Sequence, residues 1–310
     1  MKSNLPETLT NDLPPSSWGK ILGATPVVMT VVATLLAGLA SSEMTRAQYD
    51  RSLAAQLQSK AGDQWSFFQA KKLRGALQRS TIDMIGSTAE VHPLEQAALL
   101  PPLASTPAGA ALDSAAGQEA LAALTGAGLP KTDPAPKVEP DIQAALAALD
   151  DSRPDAEIVG LLARVQDNAL ENTLRGAQAR ALAFDAVIQP VGQVVDLVEK
   201  QLAGPAAGSS LRRDFVAARL GYTALRYDAE ARLNQNIANL YELQVRRGNL
   251  SAERHHRRSQ EFFYGMLAAQ MGVIISTLAI AARKRNLLWS LAAAAGAAAI
   301  SFAIYVYLCV

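Results

Sequence analysis

The chain has 310 residues, 50% of them hydrophobic and 18% charged, with a formal net charge of +1. That balance provides no field to attract a polyanion, and the cationic residues are scattered rather than interleaved with aromatics, which argues against a nucleic-acid partner. One cysteine, Cys309, allows neither a disulfide framework nor a thiolate metal site within a single chain.

The apolar residues gather at the two ends. Residues 1–20 are polar, carry Pro6, Pro14 and Pro15, and have the composition of a disordered tail. Residues 21–42 then form an uncharged run with Trp18 and Lys20 at its entrance and Glu43 and Arg46 at its exit, as expected of a first membrane span. A cleaved signal peptide is the competing reading, because Gly38, Leu39 and Ala40 offer small residues at cleavage spacing. The apolar core is longer than such a leader needs, and a retained anchor is preferred.

Residues 43–90 lack proline and place Leu53, Leu57, Ala61, Trp65 and Phe68 at helical spacing, predicting a membrane-proximal helix. Residues 91–140 hold eight of the chain's 15 prolines among alanine and glycine and read as a linker with one short helix near 113–124. Residues 141–260 are the most regular. Leu170, Leu174, Ala177, Ala181, Phe184, Ile188, Val191, Val195, Val198 and Leu202 alternate by four and three, a heptad seam that Pro190 should kink. Leu211, Phe215, Ala218, Tyr222, Leu225, Ala229, Leu233, Ile237 and Leu240 continue it after the break at 204–208, predicting an antiparallel hairpin stalk. Gly248 and Asn249 are expected to end that helix, with Ser251 capping the next.

Residues 262–282 and 286–310 are two further charge-free runs, each long enough at about 1.5 Å per residue to cross roughly 30 Å of hydrocarbon. Arg283, Lys284 and Arg285 lie between them as a basic turn that marks one membrane face. The expected fold is therefore all-α: three transmembrane helices with a long antiparallel helical stalk between the first and second. If the basic turn is cytoplasmic, residues 43–260 lie outside; Arg246, Arg247, Arg254, Arg257 and Arg258 pull the other way, and the short turn is weighted more.

The block Asp63-Gln64-Trp65 with Phe67, Phe68, Gln69 and Lys71, the basic helix with His255 and His256, and the Arg-Lys-Arg turn before Leu288-Trp289 together resemble the bacterial membrane proteins grouped as domain of unknown function 4337. The resemblance covers both ends of the chain, about a third of it, and implies the topology; it brings no activity with it.

No phosphate-binding glycine loop, metalloprotease helix, cysteine pair or nucleophile elbow is present, and neither catalysis nor a cofactor is expected. His255 and His256 are adjacent, about 100° apart on a helix, and cannot face one metal together. With Arg254, Arg257 and Arg258 they read as a basic collar facing lipid headgroups. Asp63, Gln64, Trp65, Phe68, Gln69 and Lys71 are the candidate partner contact, against the alternative that they are simply helix core. Gly19, Gly23, Ala268, Gly272, Ser276 and Gly296 are small residues at the spacing that lets spans pack, either within one chain or between copies. The leading functional expectation is a scaffold or accessory subunit of the bacterial cytoplasmic membrane, with the stalk on the periplasmic side. It would contact lipid and either a second copy or another envelope protein. The alternatives are an oligomeric channel component and a sensor that borrows its output domain.

Overall fold

The computed structural model describes residues 17–131, 137–204, 208–281 and 285–309. It is helical throughout, with no strand among the described residues. In chain order the elements are α1 (Ser17–Thr88), α2 (Gln96–Leu99), a 3-10 turn (Pro101–Leu103), α3 (Pro107–Leu112), α4 (Ala115–Leu124), α5 (Pro140–Asp150), α6 (Asp155–Leu162), α7 (Asp167–Leu202), α8 (Ser209–Ala281) and α9 (Arg285–Cys309). The helix therefore begins at Ser17, inside the stretch expected as a polar tail; residues 1–16 lie outside the described set. Two compact units form, one from the described residues up to Ala55 with those from Arg247 onward, the other from Gln56–Arg246.

In the first unit α1, α8 and α9 pack side by side. Met29, Ala33, Leu36 and Ala40 meet Phe262 and Ala269 of α8 and Ala299 and Val306 of α9. Gly265, Gly272 and Ser276 share the inward face of α8 and bring backbones close: a Cβ on Gly265 would stand 3.2 Å from both Leu36 Cδ1 and Phe302 Cβ. The large apolar side chains point the other way, among them Val27, Val31 and Leu35 on α1, Leu267, Met271, Ile274 and Leu278 on α8, and Leu291, Ile300 and Ile304 on α9. Small residues set the close contacts, with Met29, Leu36 and Phe262 filling between them, and an exterior lined by large apolar side chains suits an apolar solvent rather than water. Pro26 sits within α1, where Thr30 Oγ1 donates to its carbonyl at 2.8 Å.

Among the described residues four helices, rather than the expected three, are long and apolar enough to cross a membrane: α1, α8, α9 and also α7. The apolar content of α7 has another use. Val191, Val194, Val195, Val198 and Leu202 are buried in one core of the second unit, and Leu170, Leu174 and Ala177 in another. Gln178 Nε2 donates to Tyr241 Oη at 2.9 Å, Gly192 lies against Arg226, and Glu199 pairs with Arg219 at 3.1 Å, so α7 is held to α8 along its length. Leu225 departs from the expected seam and is exposed, while Leu220, Ala224, Ala231, Ala238 and Leu243 are buried. More than one face of α8 is covered, because α1 packs on it as well as α7.

Residues 91–140, expected as a linker, are largely folded. Leu94, Leu99, Leu103, Leu112, Leu121 and Leu124 are buried against Val191, Val195, Val198, Phe215 and Tyr222. The prolines do not prevent this. Pro107 and Pro140 open α3 and α5, where a missing N–H costs nothing, and Thr106 and Ser114 cap α3 and α4 by accepting from Gly109 and Gly117 at 3.2 and 3.1 Å. Leu112→Ala is expected to cost about 2 kcal/mol. Limited proteolysis should then cut within residues 91–131 faster than in the wild type.

Gly248 and Asn249 do not end a helix; α8 runs through them without interruption. A Cβ on Gly248 would meet Ala54 Cβ at 3.3 Å and Asp50 O at 3.6 Å, so this glycine provides close approach to α1 instead of a left-handed cap.

Candidate functional site

The side chains of the Asp63–Lys71 block divide between two faces of α1. Gln64, Trp65, Phe68 and Lys71 lie on the covered face, one helical stripe that continues through Lys72, Gly75 and Arg79; Asp63 and Gln69 are exposed on the other side. Trp65 Nε1–H donates to Glu242 Oε1 at 2.6 Å, and its ring meets Phe68 edge-on with centroids 5.4 Å apart. Trp65→Phe keeps most of the ring contact but leaves Glu242 without its donor. Chemical denaturation is expected to register a loss of about 1 kcal/mol.

Next along the stripe is a charged seam on α8. Glu230, buried, accepts from Lys71 and, at 2.6 Å, from Arg226 Nε; Asp228 pairs with Arg79 and lies 3.7 Å from Lys72 Nζ. Burial works against the charge on Arg226, but the bond to Glu230 and the pair's attraction outweigh it and hold the guanidinium above its usual range. Tyr222 is buried and its Oη has no hydrogen-bond partner among the described residues; burial pushes the phenol up, partly offset by Arg226. Lys71 and Arg74 also lie over the Tyr227 ring, at 5.3 and 6.0 Å from its centroid.

Beside Trp65 a cleft of about 480 Å³ opens between α1, α8 and the α5–α6 turn, lined by Trp65, Asp150, Ser152, Arg153, Gln235, Asn239, Glu242 and Arg246. The turn is held by Asn239 Nδ2, which donates to Asp150 Oδ1 at 2.7 Å, and by Arg246, which pairs with Asp155. Ser152 sits at φ 55°, the left-handed residue that closes α5, with Arg153 N donating back to Ala148 O at 2.9 Å. Two carboxylates, two guanidiniums, two carboxamides and an indole converge here. Asp150 and Glu242 are already engaged, and the lining offers hydrogen-bonding groups and charges of both signs. No group of histidine, cysteine and acidic residues among the described residues could hold a metal ion.

The expected basic collar also separates. Arg254 and Arg257 are exposed, but His255 turns to α1, its Nδ1 2.6 Å from Glu43 Oε2 and its Nε2 4.0 Å from Asp50 Oδ2. His256 Nε2 lies 3.1 Å from Gln260 Nε2, and Arg258 is half-buried. Arg283 and Lys284 lie outside the described residues; Arg285 opens α9. Of the small residues, Gly272, Ser276 and Gly296 face the three-helix core, with Met29 against both glycines, whereas Ala268 and Gly23 are partly covered; Gly19 lies within α1. The partners Glu230, Glu242, Asn239 and Asp150 were not singled out from the sequence, and Glu43 was read only as the charged exit of the first span. Their only advance signal was the charge-rich stripe on α1, which called for counter-charges somewhere.

The aromatic block lies on α1 beyond its first apolar run, and this stretch is similar to a family. Residues 18–108 match the model of the domain of unknown function (DUF4337). The matched segment contains all of the Trp65 stripe and extends through α2 to the opening of α3, farther into the proline-rich stretch than the block alone suggested. The chain beyond residue 108, including the α8–α9 pair, lies outside the matched residues. No curated protein and no solved structure matches the chain.

Proposed function

We propose that this protein is an integral membrane scaffold or accessory subunit that crosses the bilayer three times, through the apolar parts of α1, α8 and α9, and works by helical contacts rather than catalysis. The single observation that carries the reading is the exterior of the first unit, where leucine, isoleucine and valine face outward while glycine, alanine and serine bring the helices close beside Met29, Leu36 and Phe262. The second unit would be the working surface. Its stalk is read as antiparallel, supported by the pairs Gln178–Tyr241, Gly192–Arg226 and Glu199–Arg219, in which positions rise along α7 as they fall along α8. The α7 helix is assigned to this stalk and not to the membrane, because its valines are committed to the core. The cleft beside Trp65 is the proposed contact for a second copy or another envelope protein. The setting is the bacterial cytoplasmic membrane, with residues 43–260 on the periplasmic side, which agrees with a cytoplasmic basic turn.

Cross-linking in intact cells followed by purification in mild detergent tests the scaffold role. A stoichiometric second chain is expected, reduced by Arg153→Glu at the exposed edge of the cleft. A chain that is monomeric and brings down nothing, with or without that substitution, would contradict the proposal.

A further inference from the structure

A second concavity lies in the first unit. It is a groove of about 540 Å³ between α1 and α8, within the roughly 300–1,000 Å³ range of small-molecule sites, and its ends differ in character. Ser41, Met44, His256 and Gln260 line one end; Ala37, Phe263, Tyr264 and Met266 line the other. Ser259 Oγ donates to Ala40 O at 2.8 Å across the floor, which ties the two helices together there. Along α8 the polar end is followed outward by Arg257, exposed and on the same helical stripe as Gln260 and Tyr264. Arg254, one turn further, is also exposed, and neither arginine forms an ion pair among the described residues. Glu43 and Asp50, the nearest acids on α1, are already turned to His255. His256 Nε2 is in contact with Gln260 Nε2 at 3.1 Å, and its Nδ1 is shielded with no hydrogen-bond partner among the described residues.

An apolar trough that ends in arginines without ion pairs and an unmatched imidazole nitrogen has the polarity of a phospholipid. We propose that the groove holds one anionic phospholipid, an acyl chain lying along Ala37, Phe263, Tyr264 and Met266 and the phosphate at His256, Gln260 and Arg257. The inference rests on the membrane reading given above. Tyr264, whose ring also approaches Phe302 with centroids 6.1 Å apart, then stands at the headgroup boundary where amphipathic rings collect. The ligand would join α1 to α8 at the level where the charged residues begin.

The full chain is reconstituted into vesicles of phosphatidylcholine with phosphatidylglycerol, returned to mild detergent, and weighed by native mass spectrometry. One phosphatidylglycerol per chain is expected to persist, favoured over phosphatidylcholine by about fivefold, the weight of one arginine near an anionic lipid. Arg257→Gln should abolish the preference. Ala37→Phe and, from the exposed rim, Ser41→Trp should each displace the lipid. Retention of both lipids equally, or retention undiminished in both filling variants, would overturn the proposal. Alkaline carbonate washing of the cell membranes separates this from the underlying reading. Release of the chain would defeat membrane insertion itself, whereas a chain that stays in the membrane but retains no lipid would defeat only the groove.

Discussion

Gly265→Leu is expected to lower the thermal unfolding midpoint of the detergent-solubilised protein more than any other single change considered, with a cost of about 3 kcal/mol or more. The reason is geometric. Even a Cβ at this position would stand 3.2 Å from Leu36 Cδ1 and Phe302 Cβ and 3.4 Å from the Ala299 carbonyl. An alanine can be absorbed by small shifts, but a leucine must push α1 and α9 away from α8, and overpacking of a tight core has no cheap relaxation. The same helix supplies the control. Leu267 is exposed on the outer face, so Leu267→Ala exchanges one contact with detergent for another and is expected to leave the midpoint nearly unchanged. A Leu267→Ala loss as large as that of Gly265→Leu would mean that the outer face is packed against protein.

Glu230→Gln is expected to destabilise the second unit by about 3 kcal/mol in chemical denaturation. The neutral amide keeps the volume but leaves Lys71 and Arg226 facing each other in a partly buried site without the anion they share. Removing one member of such a group costs more than the group contributes as a whole. Lys71→Met combined with Glu230→Leu should therefore recover part of the loss, since it removes the buried charges together, although Arg226 must then find solvent. Added salt should restore little in the Glu230→Gln variant, because the charge it lacks was screened from water. A Glu230→Gln loss below about 0.5 kcal/mol would show that the seam is solvated and contributes as a surface pair does.

Elements whose signal is local were legible in the sequence. The three apolar runs announced themselves by the absence of charge, and the seam of α7 by its unbroken fours and threes from Leu170 to Leu202, nearly all of it buried. The short helix expected near 113–124 is present as α4, but the packing of residues 94–112 was not legible. Each of its helices is too short to display a period, and the prolines that open α3 and α5 have the same composition as prolines that break helices. Leu99, Leu103 and Leu112 form no local pattern because what they share is a surface, Val191 to Val198, that lies far away in the chain. Gly248 was ambiguous for a similar reason: a capping glycine and a close-approach glycine differ only by the neighbour, here Ala54.

The candidate site was half legible. Asp63, Gln64, Trp65, Phe68, Gln69 and Lys71 stood out as a dense cluster, and helical geometry alone separates the stripe 64, 65, 68, 71 from Asp63 and Gln69. Its partners come from α8, 177 residues away for Trp65 and Glu242 and 159 for Lys71 and Glu230. A single sequence pairs such positions only after the helices are known to lie together. The histidines show the same limit, since His255 finds Glu43 across 212 residues.

Which surfaces meet lipid decides whether α1, α8 and α9 are the spans. With Cys309 replaced by serine, single cysteines at Leu35, Ile274, Ile300 and Leu182 can each carry a spin label in liposomes, and collision with oxygen can be compared with collision with a water-soluble relaxation agent. Labels at Leu35, Ile274 and Ile300 are expected to favour oxygen strongly, and the label at Leu182, on the exposed side of α7, to favour the aqueous agent. Aqueous accessibility at all four positions would remove the protein from the bilayer, and an oxygen-favouring label at Leu182 would make α7 a fourth span.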